Sequence, residues 1–279
     1  MRDATKRSSE APPSVYRAGS GEPLLLIHGF ALNWQAWGSV IDELATEFEV
    51  LAPTLPGHWG GPGSQQPCTV AGFADFLEEL MDDIGWRDAH LAGNSLGGWL
   101  ALELAARGRG RSVTAIAPAG LWHPDSRAAA LVRRKFLGFS RVAPAARFAR
   151  HPLVPNVARR ALMRPLVDRP DRVSPDLMAA AIEAPSHCGC FDTVANDSES
   201  ATAAAALQRT RVPAAVLFCE RDRVIPPEHY GRHIVRELPA VATKTLPGVG
   251  HVPMLEAADL VAGEIRDFIR STGVAARSA

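Results

Sequence analysis

The sequence carries no net charge and no long apolar run. Its 279 residues contain 30 Lys and Arg and 30 Asp and Glu, for a formal net charge of +0. Because no whole-molecule field would draw in a polyanion, we expect no nucleic acid partner. The longest apolar runs, such as residues 24–27, have only the length of a strand, whereas a helix that crosses a bilayer needs about 20 apolar residues. We therefore also expect no stable membrane association.

Cysteine is scarce, with four residues in the whole chain. A secreted protein held together by disulfides would be far denser in cysteine, so a reducing compartment is the simpler interpretation. Residues 1–13 include basic side chains but lack the apolar stretch that follows them in a secretory signal peptide. We expect a cytoplasmic protein.

Short apolar runs alternate with segments of helical periodicity along most of the chain. From Phe73 to Ile84 apolar residues recur at helical spacing, as they do again from Val261 to Phe268. A further helix, opened by a proline, is predicted at 227–238. This alternation predicts an α/β fold with a mostly parallel central sheet flanked by helices. The runs that predict buried strands lie at 24–27, 89–92, 113–116 and 214–218.

The strand signal disappears between residues 121 and 207. There the chain is rich in Ala and Arg, and its helical segments are interrupted by prolines. We predict a helical cap at 121–207, inserted into a core formed by residues 1–120 and 208–279. The cap contains 11 Arg and one Lys against eight acidic residues. We interpret this positive excess as a solvated helix surface, with a patch for a membrane or an acidic ligand as the alternative.

Residues 93–97 form the most informative motif. A short apolar strand ends at Gly93, and Ser95 lies in the middle of Gly-Asn-Ser-Leu-Gly, just before a helix predicted at 99–106. A serine becomes a strong nucleophile on a strained turn beside a base, and glycines two residues to either side remove Cβ atoms that would collide. The N–H of Leu96, at the positive end of the helix, could stabilise an oxyanion beside the serine.

A second backbone donor is predicted after the strand at 24–27. His28, Gly29 and Phe30 follow that strand, so the N–H of Phe30 comes to the same edge of the sheet as that of Leu96. The two amides together predict an oxyanion hole. We interpret His28 as a loop residue whose ring orders this turn, and not as the general base.

These motifs resemble those of the α/β-hydrolase family, and the resemblance extends over residues 15–269. The run 216–226 resembles the family's strand and loop that bear the catalytic acid, which implies that role for Asp222. The run 246–256 resembles the family's histidine loop, which implies that His251 is the base. The chain order Ser, Asp, His fits this fold, and each residue follows a predicted strand, so all three come to the carboxyl edge of the sheet.

Other side chains compete for the acid and base positions. Their places in the motifs favour Asp222 and His251, whereas the competing histidines fall on a predicted helix and are more simply surface residues. The competing acids are Glu220, Asp125 and Asp192, and the competing bases are His229 and His233.

We predict neither a metal nor a cofactor. His187, Cys188 and Cys190 are of metal-ligand types, but no second Cys/His pair at zinc-site spacing accompanies them, so we interpret them as ordinary cap residues. The glycine-rich loop at 55–63 lacks the Gly-Lys-Ser/Thr ending of a phosphate-binding loop and is interpreted as a turn. Triad chemistry itself needs no cofactor.

The resemblance implies a serine hydrolase that cleaves a carboxylic ester or a related acyl substrate. Ser95 would attack the carbonyl and form an acyl-enzyme, which water activated by His251 would then hydrolyse. The dehalogenase and epoxide-hydrolase members of the family carry an aspartate at the elbow, so the serine argues against both activities. The expected partner is a small acyl or ester molecule, and the sequence sets no oligomeric state.

Two alternatives stay open. Asn94 is similar to the elbow residue of family members that cleave carbon–carbon bonds in ring-fission products of aromatic degradation. The residues after His28 and Gly29, and Val252 after His251, depart from the pattern of that group. The other alternative is a ligand-sensing signalling protein that keeps the triad. We take His28, Asn94 and Val252 as candidates for lining the substrate pocket.

Overall fold

The computed structural model describes most of the chain. The helix predicted at 227–238 lies largely outside the described residues, as do Asp125, His229, His233 and the side chain of Asp192. The described residues are 11–63, 67–122, 127–148, 151, 153–196, 202–228, 230–231, 235 and 241–277.

A seven-stranded sheet forms the centre of the molecule, with the strand order β1-β3-β2-β4-β5-β6-β7. β1 pairs antiparallel with β3, and every other neighbouring pair is parallel. The predicted α/β fold with a mostly parallel sheet is confirmed, including all four predicted strands. The strands are β1 (Val15–Ala18), β2 (Glu22–Ile27), β3 (Phe48–Pro53), β4 (Ala89–Asn94), β5 (Gly110–Ile116), β6 (Ala214–Cys219) and β7 (Ala242–Leu246).

Helices cover both faces of the sheet. None of the helices in the described residues combines the length and the apolar character that crossing a bilayer requires. The α-helices of the described residues are α1 (Gly38–Leu44), α2 (Val70–Asp83), α3 (Leu96–Ala106), α4 (Arg127–Val142), α5 (Asn156–Met163), α6 (Pro175–Glu183), α7 (Phe191–Asn196), α8 (Ala203–Arg209) and α9 (Ala258–Arg277). Short 3₁₀ helices lie at Trp34–Trp37, Ala143–Phe148, Pro170–Arg172, Ala184–His187 and Pro253–Leu255.

The sheet is buried on both faces, which explains why its central strands read as continuous apolar runs. Side chains alternate along a strand, so Leu24 and Leu26 of β2 pack into the apolar cluster that contains residues of α1 and α9. Leu25 and Ile27 pack into the opposite cluster, which contains residues of α2, α3 and α8. The sheet is therefore held rigidly, and with it the loops at its carboxyl edge.

The described residues between β5 and β6 contain helices and turns but no strand, in agreement with the loss of the strand signal there. This segment includes helices α4 to α8. Backbone and side-chain hydrogen bonds hold it against the loops of the sheet edge: Val252 N donates to Leu166 O at 2.9 Å, and Arg223 donates to Asp168 Oδ1 at 2.6 Å. The boundaries of a cap at 121–207 stay a prediction.

Glu256 connects this segment to the loop that carries His251. Its buried carboxylate accepts the backbone N–H of Gly250 at 2.7 Å and that of Asp168 at 3.0 Å, and also the N–H of Arg169. A carboxylate supplies acceptors only, so it satisfies the buried N–H of Gly250 and the two partly buried N–H groups of Asp168 and Arg169. The loop and the segment are thereby fixed to each other.

Replacing Glu256 with Gln should destabilise the protein by about 1–2 kcal/mol, because the new NH₂ group would face one of the three N–H donors and leave it unsatisfied. Glu43→Gln is the matched control: this carboxylate is 44% exposed, and a surface change of this kind typically shifts the free energy of unfolding by less than about 0.5 kcal/mol. Urea titration of both variants measures the difference. Equal stabilities would show that Glu256 does not hold the two segments together.

Candidate active site

Ser95 lies on a sharp turn between β4 and α3, in a backbone conformation of φ 56° and ψ −116° that non-glycine residues rarely adopt. A Cβ on Gly97 would collide with the carbonyl oxygen of Ile27 in β2, and one on Gly93 would collide with the carbonyl oxygen of Gly97. The two glycines therefore allow α3 to begin directly against the sheet. This is the steric role that the spacing of the motif predicts.

Asp222 and His251 meet although 29 positions separate them. His251 Nδ1 lies 2.7 Å from Asp222 Oδ2, and both residues are at least 95% buried. Asp222 follows β6 and His251 follows β7, which is the neighbouring strand of the sheet. Adjacent parallel strands thus deliver the two side chains to one edge, as the sequence predicts.

The surroundings of Asp222 favour its ionised form. Its Oδ1 accepts the N–H groups of Val224 at 2.8 Å and Ile225 at 2.7 Å. Burial acts to raise the pKa of Asp222, but the charge and hydrogen bond of His251 and the two amides outweigh it and hold the pKa below its usual value. An ionised Asp222 keeps the proton of the imidazole at Nδ1, which leaves Nε2 as the basic nitrogen.

Asn94 holds the elbow next to the histidine loop. Its Nδ2 donates to the backbone carbonyl of His251 at 2.9 Å and to that of Ile116 at 3.2 Å, and its side chain is fully buried. Ser95 N donates to the same Ile116 carbonyl at 2.9 Å. The serine and the histidine therefore sit on loops that one amide side chain ties together.

The two predicted oxyanion donors, Leu96 and Phe30, belong to segments that lie next to Ser95. Leu96 is the first residue of α3, so its N–H is among the donors at the helix N-terminus that have no acceptor within the helix. The turn that carries Phe30 lies against the elbow, since a Cβ on Gly29 would be 3.4 Å from Ser95 Cβ. The helix dipole adds positive potential at this point.

His28 orders the turn before Phe30. Its Nε2 accepts the N–H of Leu55 at 2.9 Å, and its Nδ1 donates to the carbonyl of Gly29 at 2.8 Å. Burial, reinforced by the nearby His58, lowers the pKa of His28 to about 3, so the ring stays neutral. With both nitrogens engaged by the backbone, the ring has none left for a general base or for a substrate.

Two further candidate residues, Glu220 and Val252, make hydrogen bonds to the backbone of neighbouring loops. Glu220, the competing acid whose side chain is described, accepts the N–H of Gly248 at 2.8 Å and is 46% exposed. Val252 is buried and joins the histidine loop to Leu166 through its N–H. The part of His28, Asn94 and Val252 in lining a pocket stays a prediction.

The sequence did not predict the contacts of Glu256. This residue lies in the histidine-loop motif, but nothing in the motif shows that its carboxylate binds three amides.

The sequence also did not predict that His58 lies close to two cysteines. A ring nitrogen of His58 and the sulfur atoms of Cys188 and Cys190 lie within 4.8 Å of one another, an arrangement that could hold a metal ion. His187 stacks on the ring of Trp59 instead, with ring centroids 4.8 Å apart.

Two sequence relatives and one solved structure resemble this chain over most of its length. Epoxide hydrolase EphH of Mycobacterium tuberculosis is 39% identical over 198 residues, which cover 70% of this chain and 92% of that protein. A pimeloyl-(acyl-carrier protein) methyl ester esterase of Neisseria meningitidis is 29% identical over 260 residues, covering 88% and 92%. A thermophilic esterase from Thermogutta terrifontis superposes with a TM-score of 0.73 at 25% identity, covering 92% and 93%.

The family model agrees with these relatives. A model described as the alpha/beta hydrolase family matches residues 24–264, which is most of the chain. The match begins in β2, extends past the Ser95 elbow, Asp222 and His251, and ends in α9. This chain therefore belongs to the alpha/beta hydrolase family and is a hydrolytic enzyme.

Proposed function

We propose that this enzyme is a serine hydrolase that cleaves carboxylic esters or related acyl substrates, with Ser95 as nucleophile, His251 as base and Asp222 as acid. The 2.7 Å contact between Asp222 and His251 carries the proposal. It supports a histidine whose Nε2 is free to accept a proton, on a loop that Asn94 ties to the serine elbow.

The proposed reaction has two halves. His251 Nε2 takes the hydroxyl proton as Ser95 Oγ attacks the carbonyl carbon, and the resulting imidazolium returns this proton to the leaving alcohol. The acyl-enzyme that remains is then attacked by water, which gives a proton to His251, and the histidine protonates Ser95 Oγ as the acid departs. Asp222 stays ionised throughout and stabilises the imidazolium in both halves.

The N–H groups of Leu96 and Phe30 are the proposed oxyanion donors. Support comes from the place of Leu96 at the start of α3 and from the close packing of Gly29 on the elbow. Such donors act on the charge that develops in the transition state and are typically worth about 10² to 10³ in turnover each. On a strained turn of this kind the nucleophile's hydroxyl is exposed at the sheet edge, which is where the proposal needs that of Ser95.

An ester substrate has two kinds of support. The nucleophile is an alcohol, which forms an ester intermediate that activated water can cleave. Two of the similar proteins are esterases by name, namely the Neisseria meningitidis and Thermogutta terrifontis proteins. We also propose that residues 121–207 form a cap, since helices fill the described part of this region and it is bound to both the Asp222 and the His251 loops.

Changing Ser95 to Ala should lower the hydrolysis of short p-nitrophenyl esters by at least about 10³-fold and abolish labelling by a fluorophosphonate, because no other group can form the acyl-enzyme. Ser271→Ala, at an exposed position in α9, is the matched control and should retain both activities. Rates and labelling that survive in the Ser95 variant would remove this serine from the mechanism.

Epoxide opening is the second candidate, and the similarity to EphH is the observation that favours it. Chemistry weighs against it, because an alkoxide from Ser95 that opened an epoxide would form an ether. Water cannot cleave an ether by the carbonyl addition that cleaves an acyl-enzyme. The serine would therefore be alkylated once without turnover.

Incubation with styrene oxide separates the two functions. We expect no catalytic formation of the diol and, at most, loss of esterase activity as Ser95 becomes alkylated, which mass spectrometry of the intact chain detects. The reference is the same preparation hydrolysing p-nitrophenyl acetate over many turnovers. Repeated diol formation that disappears in Ser95→Ala would replace ester hydrolysis with epoxide hydrolysis as the proposed function.

A further inference from the structure

Four metal-ligand side chains from distant parts of the sequence meet beside Gly57. We refer to His58, Cys68, Cys188 and Cys190 as the thiol cluster. A ring nitrogen of His58 and the sulfur atoms of Cys188 and Cys190 all lie within 4.8 Å of one another. Cys68 joins them at Gly57, where an added Cβ would collide with Cys190 Sγ and lie 3.2 Å from Cys68 Sγ. The absence of a side chain at Gly57 thus makes room for the sulfur atoms.

The backbone holds the two halves of the thiol cluster together. Gly57 and His58 belong to the loop after β3, whereas Cys188 and Cys190 precede and begin the turn into α7. Gly189 N donates to the carbonyl of Gly57 at 3.0 Å, and Cys190 Sγ lies 3.5 Å from the carbonyl oxygen of Pro56. The ligands are therefore brought together by hydrogen bonds that already exist.

One ring nitrogen of His58 has no hydrogen-bond partner among the described residues. The ring's Nδ1 donates to the carbonyl of Pro56 at 3.1 Å, so Nε2 carries the free lone pair. The residue is only 3% exposed, and Nε2 is buried without a hydrogen-bond partner among the described residues. A backbone carbonyl on the other nitrogen is the usual partner that fixes the tautomer of a metal-binding histidine.

The sulfur atoms of the thiol cluster differ in burial. Cys190 is fully buried and Cys68 nearly so, whereas Cys188 is partly exposed. A thiol must lose its proton to bind a metal, so metal binding at this cluster would be coupled to proton release.

We propose that the thiol cluster binds a thiophilic metal ion of the zinc class, with His58, Cys68, Cys188 and Cys190 as its four ligands. Three sulfurs and one imidazole nitrogen form a common set of ligands for tetrahedral structural zinc. Bond lengths of about 2.0–2.3 Å imply ligand atoms about 3.5–3.8 Å apart. The ligand atoms of His58, Cys188 and Cys190 lie within 4.8 Å of one another and need only small side-chain adjustments. Cys68, which reaches the same point beside Gly57, would complete the set by moving its sulfur toward Cys190.

Bound metal would clamp the segment between β5 and β6 onto the core. His58 and Cys68 belong to the core, and Cys188 and Cys190 belong to the segment between β5 and β6. Four protein ligands leave no open coordination position for a substrate, so the proposed site is structural. The clamp lies next to the oxyanion turn, because the ring of Phe30 packs edge-on against His58 at 5.5 Å and against Phe191 at 4.9 Å. Metal binding itself does not depend on the chemistry of Ser95.

Titration with Co²⁺ tests the site in the full chain, after reduction and removal of metal. We expect one equivalent to produce thiolate-to-cobalt charge-transfer absorption and the intense visible bands of tetrahedral Co²⁺, and Zn²⁺ to abolish both by displacement. Cys188→Ala, which changes the partly exposed ligand, should weaken binding by at least about 100-fold, because loss of a ligand costs more than loss of an outer partner. It should also abolish the rise in melting temperature that Zn²⁺ gives the wild type.

Cys219→Ala is the matched control, because this buried cysteine lies in β6 and outside the thiol cluster. It should bind Co²⁺ as the wild type does. Circular dichroism confirms that each variant is folded, and Cys68→Ala provides a second ligand variant that should lose part of the charge-transfer intensity. The proposal is overturned if the wild type shows no tetrahedral spectrum at one equivalent, if Cys188→Ala matches Cys219→Ala, or if the untreated chain contains two free thiols in place of four.

Discussion

The hydrogen bond between Asp222 and His251 is the interaction on which the site depends. Both side chains are buried, and a buried carboxylate is unfavourable unless its oxygens are satisfied. Two amides occupy one oxygen and the imidazole occupies the other. The carboxylate therefore keeps its charge, and this charge determines which nitrogen of the histidine is basic.

Hydrogen bonds connect the carboxyl edge of the sheet to the segment between β5 and β6. Arg223, next to the proposed catalytic acid Asp222, donates to Asp168. Glu256 accepts the N–H of Asp168 in this segment and that of Gly250 in the histidine loop. A change in this segment therefore reaches the acid and histidine loops through short hydrogen bonds. The thiol cluster lies at a separate contact, near Phe30, so this segment is attached to the core at both the acid–base side and the oxyanion side of the proposed site.

Sequence reasoning succeeded where steric or chemical demands are local. The elbow glycines follow from the motif and the parallel strands from the periodicity, whereas the pairing of Asp222 with His251 is implied by the resemblance to the family. The edge strands β1 and β7 were not predicted because they are short, largely solvent-accessible and lack an apolar run. Strand β3 was not predicted because Glu49 and Pro53 leave only three consecutive apolar residues between them. The thiol cluster was missed because spacing rules find ligands close in sequence, whereas His58 and Cys188 lie 130 positions apart.

The turnover of Asp222→Asn tests the central claim most directly. An amide at this position can hold the imidazole with its proton on the wrong nitrogen, so the account predicts that kcat for ester hydrolysis falls by about 10⁴-fold. Glu220→Gln changes a neighbouring carboxylate that is 46% exposed, accepts the N–H of Gly248 and pairs with Arg221 at 3.8 Å, and it should leave kcat within a few-fold of the wild type. An Asp222 variant that turns over as fast as this control would contradict the account.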